Sequence, residues 1–112
     1  MNTTKLTATE RKRRQRRSAH NSHLKKMYGI TIQDYDKILA SQRGVCAICK
    51  GGTTRRHFAV DHNHKNGRVR GLLCARCNMG LAKFMDRTVV VGRAYLYMQR
   101  DGSRVDKILG TD

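Results

Sequence analysis

Two Cys-x-x-Cys pairs are the residues of this sequence whose spacing most directly indicates chemistry. Cys46 and Cys49 form the first pair, Cys74 and Cys77 form the second, and residues 50–73 separate the two. Four sulfur ligands that leave no open coordination position are typical of structural zinc. The alternative is two disulfides, which form mainly in oxidising compartments. The spacing predicts a single Zn²⁺ held by all four cysteines, which would stabilise the fold and leave catalysis to another site.

A carboxylate and two imidazoles lie between the cysteine pairs, in the segment VDHNH at residues 60–64. Because zinc would already have four sulfur ligands, Asp61, His62 and His64 indicate a second site. Hydrolysis of a phosphodiester needs a hard divalent cation to polarise the phosphate, and a base that titrates near neutrality to activate water. A carboxylate can hold the cation, and a histidine can be the base. The alternative is that the histidines only donate hydrogen bonds to phosphates.

A hairpin over residues 57–73 is predicted to position this segment, with strands on either side of an Asn66-Gly67 turn. Successive side chains of a strand point to opposite faces. Asp61 and His62 can therefore act on one substrate only if the strand bends or ends there. Under the same alternation His62 and His64 share a face.

Helices are predicted on both sides of the hairpin. Gly29 favours the end of a first short helix, and Thr31 with Asp34 favours the start of a second. Leu81 and Phe84 are expected to face the core from the helix after the hairpin. The predicted helices are a short one at residues 24–28, one between Thr31 and Gly44, one at residues 77–85 and one at about residues 88–100.

The net charge of +16, from 24 Lys and Arg against 8 Asp and Glu, indicates a polyanionic partner, and DNA is favoured. An anionic membrane surface is the competing partner, but the sequence has no strongly amphipathic basic helix. A merely solvated basic surface is the remaining alternative. Arg55 and Arg56 also flank the histidine segment. The residues predicted to contact DNA are Arg11, Lys12, Arg13, Arg14, Arg16, Arg17, Arg68, Arg70 and Arg76.

The domain organisation follows from length and composition. The 112 residues fit one domain, and only 38% of them are hydrophobic, so a metal staple is expected to support a small core. Residues 1–22 are predicted to be a basic flexible arm that becomes helical when it lies against phosphates. Residues 23–100 form the predicted domain, and residues 101–112 a frayed tail. The sequence has neither an apolar run of membrane-spanning length nor a signal peptide's apolar stretch, which predicts a cytoplasmic protein.

The sequence resembles the recombination endonuclease VII family of phages, within the HNH superfamily. The residues that carry the resemblance are YGIT at 28–31, DYD at 34–36, GVCAIC at 44–49, VDHNH at 60–64 and GRVRGLLCARCNMGL at 67–81. The resemblance implies a ββα-metal fold, in which a hairpin and one helix surround a catalytic divalent cation. It also implies a structural zinc held by four cysteines, here Cys46, Cys49, Cys74 and Cys77.

The resemblance further implies a role for each residue of the second site. Asp61 and Asn78 would hold the catalytic cation, usually Mg²⁺ or Mn²⁺. His62 would be the general base that activates water. His64 would contact the scissile phosphate or assist the leaving group.

The sequence therefore predicts an α+β protein, a small zinc-stapled ββα-metal domain with flanking helices. The predicted function is a phage-encoded, metal-dependent DNA endonuclease that nicks or cuts both strands in the cytoplasm of a bacterial host. The alternatives are a Holliday-junction resolvase and a zinc-ribbon DNA-binding protein without catalysis. Monomer and homodimer stay open, as do packaging, recombination and homing as biological roles.

Overall fold

The computed structural model describes residues 5–110. Its elements are α1 (Ala8–Tyr28), α2 (Ile32–Ser41), β1 (Ala59–His62), β2 (Val69–Leu73), α3 (Ala75–Lys83), α4 (Thr88–Met98) and α5 (Ser103–Leu109). The strands β1 and β2 pair in one antiparallel sheet. The order β1-β2-α3 with helices on both sides confirms the predicted α+β class. No helix within residues 5–110 has the length and apolar character needed to cross a bilayer.

Helix α1 is longer than the sequence analysis predicted. The expectation of a helix that starts only at Leu24, after an irregular arm, was wrong for the described residues, because the helix begins at Ala8. Thr7 and Glu10 form a capping box there, and the Arg, Lys and Gln residues that follow are good helix formers. Leu24 is the buried residue of α1, which explains why no apolar period marked the helix. The first four residues of the predicted arm lie outside the described chain.

Helix α2 agrees with the prediction. Thr31 and Asp34 form its capping box, and Ile32 and Tyr35 are buried. Beyond its end, the Gln42 side chain donates to the Leu72 carbonyl and accepts from the Leu72 N–H, both at 2.9 Å. This pair of hydrogen bonds satisfies the backbone N–H and carbonyl of Leu72 in the middle of β2's buried end.

Strand β1 is shorter than predicted, since it starts at Ala59 rather than at His57. The Phe58 N–H donates to the Tyr35 hydroxyl at 3.0 Å and so takes no part in strand pairing. The predicted turn is present, and Gly67 has a φ of 74°, a conformation that favours glycine. The hairpin therefore forms as predicted, with its first strand anchored on α2.

The core joins the first two helices to the hairpin. It consists of nine buried residues, Leu24, Ile32, Tyr35, Cys46, Phe58, Val60, Leu72, Leu73 and Cys74. Two of these are cysteines of the predicted zinc site. A metal at that site would therefore be continuous with the core, as expected for a chain with so few large apolar side chains.

The helices after the hairpin differ in how they pack. Helix α3 starts at Ala75, earlier than predicted, because the Cys74 side chain caps it. Leu81 packs against the core as predicted, but Phe84 is exposed, which corrects its predicted place in the core. The region predicted as a frayed tail contains α5, which ends at Leu109 with Gly110 as its C-cap. The last two residues of that region lie outside the described chain. Helices α4 and α5 have no buried residue.

Candidate metal centre and active site

The four cysteines converge on one point. Their sulfur atoms all lie within 4.8 Å of one another, and Cys49 Sγ is 3.8 Å from Cys74 Sγ. Ligands at about 2.3 Å around a tetrahedral Zn²⁺ are separated by about 3.8 Å. All four are free thiols, so the arrangement is that of a metal site and not of two disulfides. The cysteines are therefore positioned to bind a metal ion, as the spacing predicted.

Backbone hydrogen bonds hold both cysteine pairs in place. In the first pair the Cys46 N–H donates to the Gly51 carbonyl at 2.8 Å, which closes a tight turn. The Ala47 N–H donates to the Leu72 carbonyl at 3.1 Å and ties this turn to β2. In the second pair Cys74 precedes α3, and its sulfur accepts from the Cys77 N–H at 3.5 Å. The site is thus built from a turn and a helix start that both adjoin β2.

The electrostatics of the cluster fit a bound dication. Burial opposes ionisation of Cys46, but N–H groups of Cys74, Cys49 and Ile48 outweigh it and lower the pKa of that thiol to about 6. Burial and hydrogen bonds with the other three thiols raise the pKa of Cys77 to about 12. The Gly51 N–H likewise lowers the pKa of Cys49, so two thiolates are favoured, whereas ionisation of Cys77 is opposed unless a cation is present. Metal binding supplies that charge and holds all four as thiolates.

The hairpin carries a bulge at the predicted active site. Asp61 pairs with Gly71 while His62 pairs with Val69, so Arg70 is an extra residue on β2. A bulge interrupts the alternation of side chains along a strand. The burial pattern of β1 shows this interruption, because the adjacent Val60 and Asp61 are both buried. The pairing of β1 with β2 therefore shifts register between Asp61 and His62, and β1 ends at His62.

The buried carboxylate of Asp61, only 8% exposed, is held by Arg70. Arg70 Nε and Nη2 donate to the two Asp61 oxygens at 2.6 and 3.2 Å. Arg70 Nη2 also donates to Asp86 Oδ1 at 2.7 Å, and this contact lowers the pKa of Asp86. Arg70, which was predicted to contact DNA, therefore bridges the carboxylates of Asp61 and Asp86. Their contacts in turn raise the pKa of Arg70.

Asp86, which follows α3 with a φ of 52°, was not predicted as a site residue. Its Oδ2 lies 4.0 Å from His64 Nε2, so Asp86 connects Arg70 to the histidine pair. One signal could have found it. In this basic chain, Asp86 is the sole acidic residue between Asp61 and Asp101.

The two histidines of the VDHNH segment lie together, although β1 ends at His62 and His64 lies in the turn that follows rather than on the strand. The ring centroids of His62 and His64 are 4.6 Å apart. His64 is 62% exposed, whereas His62 is half-buried near the Tyr28 ring. Asn63 between them serves the turn, because its side-chain oxygen accepts from the Lys65 N–H at 2.8 Å. The pair is thus presented at the surface by a hydrogen-bonded loop.

Asn78 lies in the first turn of α3, immediately after Cys77. Its N–H donates to the Cys74 carbonyl at 3.0 Å, and its side chain is half-buried. Helix α3 packs against both strands of the hairpin. The cysteine that caps α3 therefore also fixes where Asn78 sits relative to the sheet.

The donors Asp61 and Asn78 suit a hard cation, because Mg²⁺ and Mn²⁺ prefer carboxylate and carbonyl oxygens. Arg70 occupies two of the roughly four lone-pair positions of the Asp61 carboxylate, which leaves acceptor capacity. Within residues 5–110, Asp61, His62 and His64 do not form a second three-ligand group like that of the cysteines. A cation here would therefore need further ligands from water or from substrate.

An open groove of about 610 Å³ runs beside the histidine pair. His64, Lys65 and Arg70 line it from the hairpin, and Asp86 and Arg87 line it from the segment after α3. Three of these five side chains are cationic at neutral pH. The groove can therefore accommodate an anionic chain against His64, whereas Asp61 and His62 are not among the residues that line it.

The other predicted DNA contacts lie at the surface. Arg17 pairs with Asp36 at 2.8 Å, and Arg68 is exposed in the hairpin loop. The sulfur of Cys49 accepts a hydrogen bond from Arg76 and raises its pKa. The remaining basic residues of α1 are exposed, and they are Arg11, Lys12, Arg13, Arg14 and Arg16.

Comparisons with known proteins find a matching family and related phage proteins. The profile of the family described as recombination endonuclease VII matches residues 21–100. The Gene 59 protein of Mycobacterium phage D29 is 42% identical over 77 residues, which cover 65% of this chain and 46% of that protein. The Gene 59 protein of Mycobacterium phage L5 is 48% identical over 52 residues, which cover 46% of this chain and 32% of that protein.

The chain thus spans less than half the length of these two phage proteins. No solved structure matches it. The family match covers most of the chain and includes both cysteine pairs, the VDHNH segment and Asn78. The chain belongs to the recombination endonuclease VII family.

Proposed function

We propose that the protein is a metal-dependent DNA endonuclease of the HNH type. The observation that carries the proposal is the bulged hairpin, which presents a buried aspartate beside two histidines whose rings are 4.6 Å apart. Asn78 follows on the helix that packs against this hairpin. A protein that only binds DNA through a zinc ribbon needs the cysteines and the positive charge but not this second group.

Each side chain has a role in the proposed hydrolysis. His62 accepts a proton from water, the water oxygen bonds to phosphorus, and the bond from phosphorus to the leaving oxygen breaks. His64, which is more exposed, contacts the scissile phosphate or assists the leaving oxygen. Asp61 and Asn78 hold the divalent cation, which when bound polarises the phosphate and stabilises charge on the leaving oxygen.

Arg70 and the cysteines support this chemistry without taking part in it. Arg70 fixes the orientation of the Asp61 carboxylate through two hydrogen bonds. The cysteines hold a structural Zn²⁺ that joins the turn containing Cys46 and Cys49 to the start of α3. The domain boundaries at residues 22/23 and 100/101 stay a prediction. Family membership favours a phage-encoded enzyme that acts in the cytoplasm of a bacterial host.

Incubation with supercoiled plasmid tests the proposal. We expect nicked or linear product with Mg²⁺ or Mn²⁺ and none when divalent cations are omitted. The zinc content of the protein should be the same in both incubations. An intact plasmid under every divalent cation, with DNA binding retained, would favour the zinc-ribbon protein.

Family membership favours junction resolution as the second candidate function. A synthetic four-way junction and a linear duplex built from the same arm sequences separate it from general cleavage. A resolvase cuts the junction at symmetric positions and spares the duplex. The endonuclease that we propose cuts both.

A further inference from the structure

A second cleft lies between α1 and the segment that leads into β1. It encloses about 390 Å³ and shares no lining residue with the groove beside the histidine pair. Six of its lining side chains are basic or imidazole, and they are Arg13, Arg16, Arg17, His20, Arg56 and His57. The cleft is therefore a separate concentration of groups that bind anions.

Helix α1 aims one face at this cleft. Arg13, Arg16, Arg17 and His20 occupy positions i, i+3, i+4 and i+7, which lie on the same side of a helix. Lys12 and Arg14, on the same helix, do not line the cleft. The basic residues of α1 therefore divide into those that line the cleft and those that do not.

Two histidines from different elements meet at the cleft. The rings of His20 and His57 stack with their centroids 3.7 Å apart and an interplanar angle of 17°. The Tyr35 ring meets His20 edge-on at 4.9 Å, and its hydroxyl accepts from the Phe58 N–H. His20 and His57 are thus fixed in position before any ligand binds.

The cleft has an excess of positive charge. Among the described residues that line it, Asp36 is the acid, and Arg17 already pairs with it at 2.8 Å. Burial and then His57, His23 and Arg17 lower the pKa of His20, and Asp36 opposes them. Burial and Arg56 lower the pKa of His57. An anion in the cleft would reverse these effects, because it favours both imidazolium forms.

We propose that this cleft binds a backbone phosphate of DNA, at a contact separate from the phosphate that is cut. The choice of DNA as the polyanion rests on the proposed function. His57 precedes His62 by five residues, and an extended chain spans at most about 3.6 Å per residue, so the two lie within about 18 Å. At about 3.4 Å per base step, the contact falls within about five base pairs of the cleavage position.

Fluorescence anisotropy with a labelled duplex, without the catalytic cation, measures this contact while cleavage is suppressed. The double variant Arg13→Gln/Arg16→Gln is compared with Lys12→Gln/Arg14→Gln, which removes the same charge from the same helix outside the cleft. The cleft variant should bind DNA about tenfold more weakly, and the slope of log affinity against log salt concentration should fall in magnitude by about 1. In the control variant, the loss of affinity in log units and the change in slope should each be less than half as large. Equal losses would overturn the proposal.

Arg56→Gln tests the opposite wall and should also weaken binding, because Arg56 comes from a different segment. If inorganic phosphate saturates the cleft while none of these variants affects DNA binding, the cleft belongs to a free anion and the proposal fails. The exposed arginines are not in the core, and thermal unfolding of each variant checks its fold.

The histidine pair gives a signature that charge alone does not. Affinity for DNA should rise roughly fivefold from pH 8 to pH 6, because phosphate binding favours protonated His20 and His57. His20→Gln/His57→Gln should flatten this rise. His23→Gln, on α1 but outside the cleft, should retain it at a slightly higher pH, because His23 lowers the pKa of His20. An unchanged rise in the double variant would overturn the role of the pair.

The two proposals fail differently. If the protein shows this binding pattern but never cleaves plasmid, the proposed phosphate contact stands and the proposed nuclease function is overturned. If the protein cleaves plasmid but the two α1 variants bind DNA equally well, only the proposed phosphate contact is overturned.

Discussion

The cysteine centre and the VDHNH hairpin are neighbours in the fold, but they are organised differently. The four thiols meet within 4.8 Å through short turns whose hydrogen bonds are local, apart from the tie to β2. In the hairpin, the carboxylate is held by an arginine from the opposite strand, and that arginine also binds an aspartate beyond α3. Each half of the metal site can thus be built by local geometry and is joined to the other half through β2, whereas the aspartate of the proposed catalytic site depends on side chains from two other segments.

The largest effect is expected at the cysteine centre. Cys46→Ser, or removal of the metal by a strong chelator, should unfold the protein, because structural zinc contributes about 10 kcal/mol or more to folding in small domains. Circular dichroism and elemental analysis measure the loss of helix and of zinc together. Met79→Ser, at an exposed position of α3, is the matched control and should keep both. A folded, zinc-free Cys46→Ser protein would show that the fold does not depend on a metal at the cysteine centre.

Next in size are two variants of the hairpin. Asp61→Ala should abolish cleavage through loss of the catalytic cation, and excess Mn²⁺ should restore part of the rate. His64→Ala should reduce the rate less, because His64 only assists the phosphate or the leaving group. Plasmid nicking over a range of Mn²⁺ concentrations separates them. A larger loss in His64→Ala than in Asp61→Ala would reverse the assigned roles.

Arg70 tests whether the hairpin depends on its distant partners. Arg70→Met leaves the buried Asp61 carboxylate unpaired and should lower the free energy of unfolding by about 2–3 kcal/mol, less than for a fully buried pair because Arg70 is partly exposed. Arg68→Met, at an exposed position of the same loop, should change it by less than about 0.5 kcal/mol. Urea denaturation measures both. Equal stability of the two variants would mean that the contact with Asp61 contributes nothing.

The smallest effect concerns pH. The pKa values of His20 and His57 are lowered in the folded protein, so the unfolded chain takes up protons first as the pH falls below about 6.5. Stability from this pair is therefore complete above that pH and is lost as the pH falls through the lowered values. The unfolding temperature should decline between pH 7 and pH 5, and less steeply in His20→Gln/His57→Gln. An identical decline in the double variant would contradict this assignment.

Much of the fold could be predicted because its signals are local. The cap at Thr31, the turn at Gly67 and the spacing of the cysteines each depend on a few neighbouring residues. Helix α1 also has a local signal, the Thr7 and Glu10 capping box, but its polar sequence gives no apolar period. The predicted helix start rested on an apolar period and was therefore too late in the chain.

The contacts around Asp61 could not be predicted in the same way. The bulge that makes Arg70 an extra residue depends on the register of two strands, and the bond to Asp86 depends on where α3 ends. The hydrogen bonds of Gln42 to Leu72 likewise join residues far apart in the sequence. Spacing identified Asp61, His62 and His64 as a group, but only the fold reveals which side chains hold the aspartate.

The central claim is that the hairpin hydrolyses DNA while the cysteine centre only stabilises the fold. The most direct test measures the plasmid-nicking rate, zinc content and unfolding temperature on the same preparation of His62→Ala, with His23→Ala as the matched control. We expect a rate reduced by about 10²–10⁴-fold in His62→Ala, the loss typical of a positioned base, with zinc and unfolding temperature unchanged. A wild-type rate in folded, zinc-loaded His62→Ala would contradict the claim.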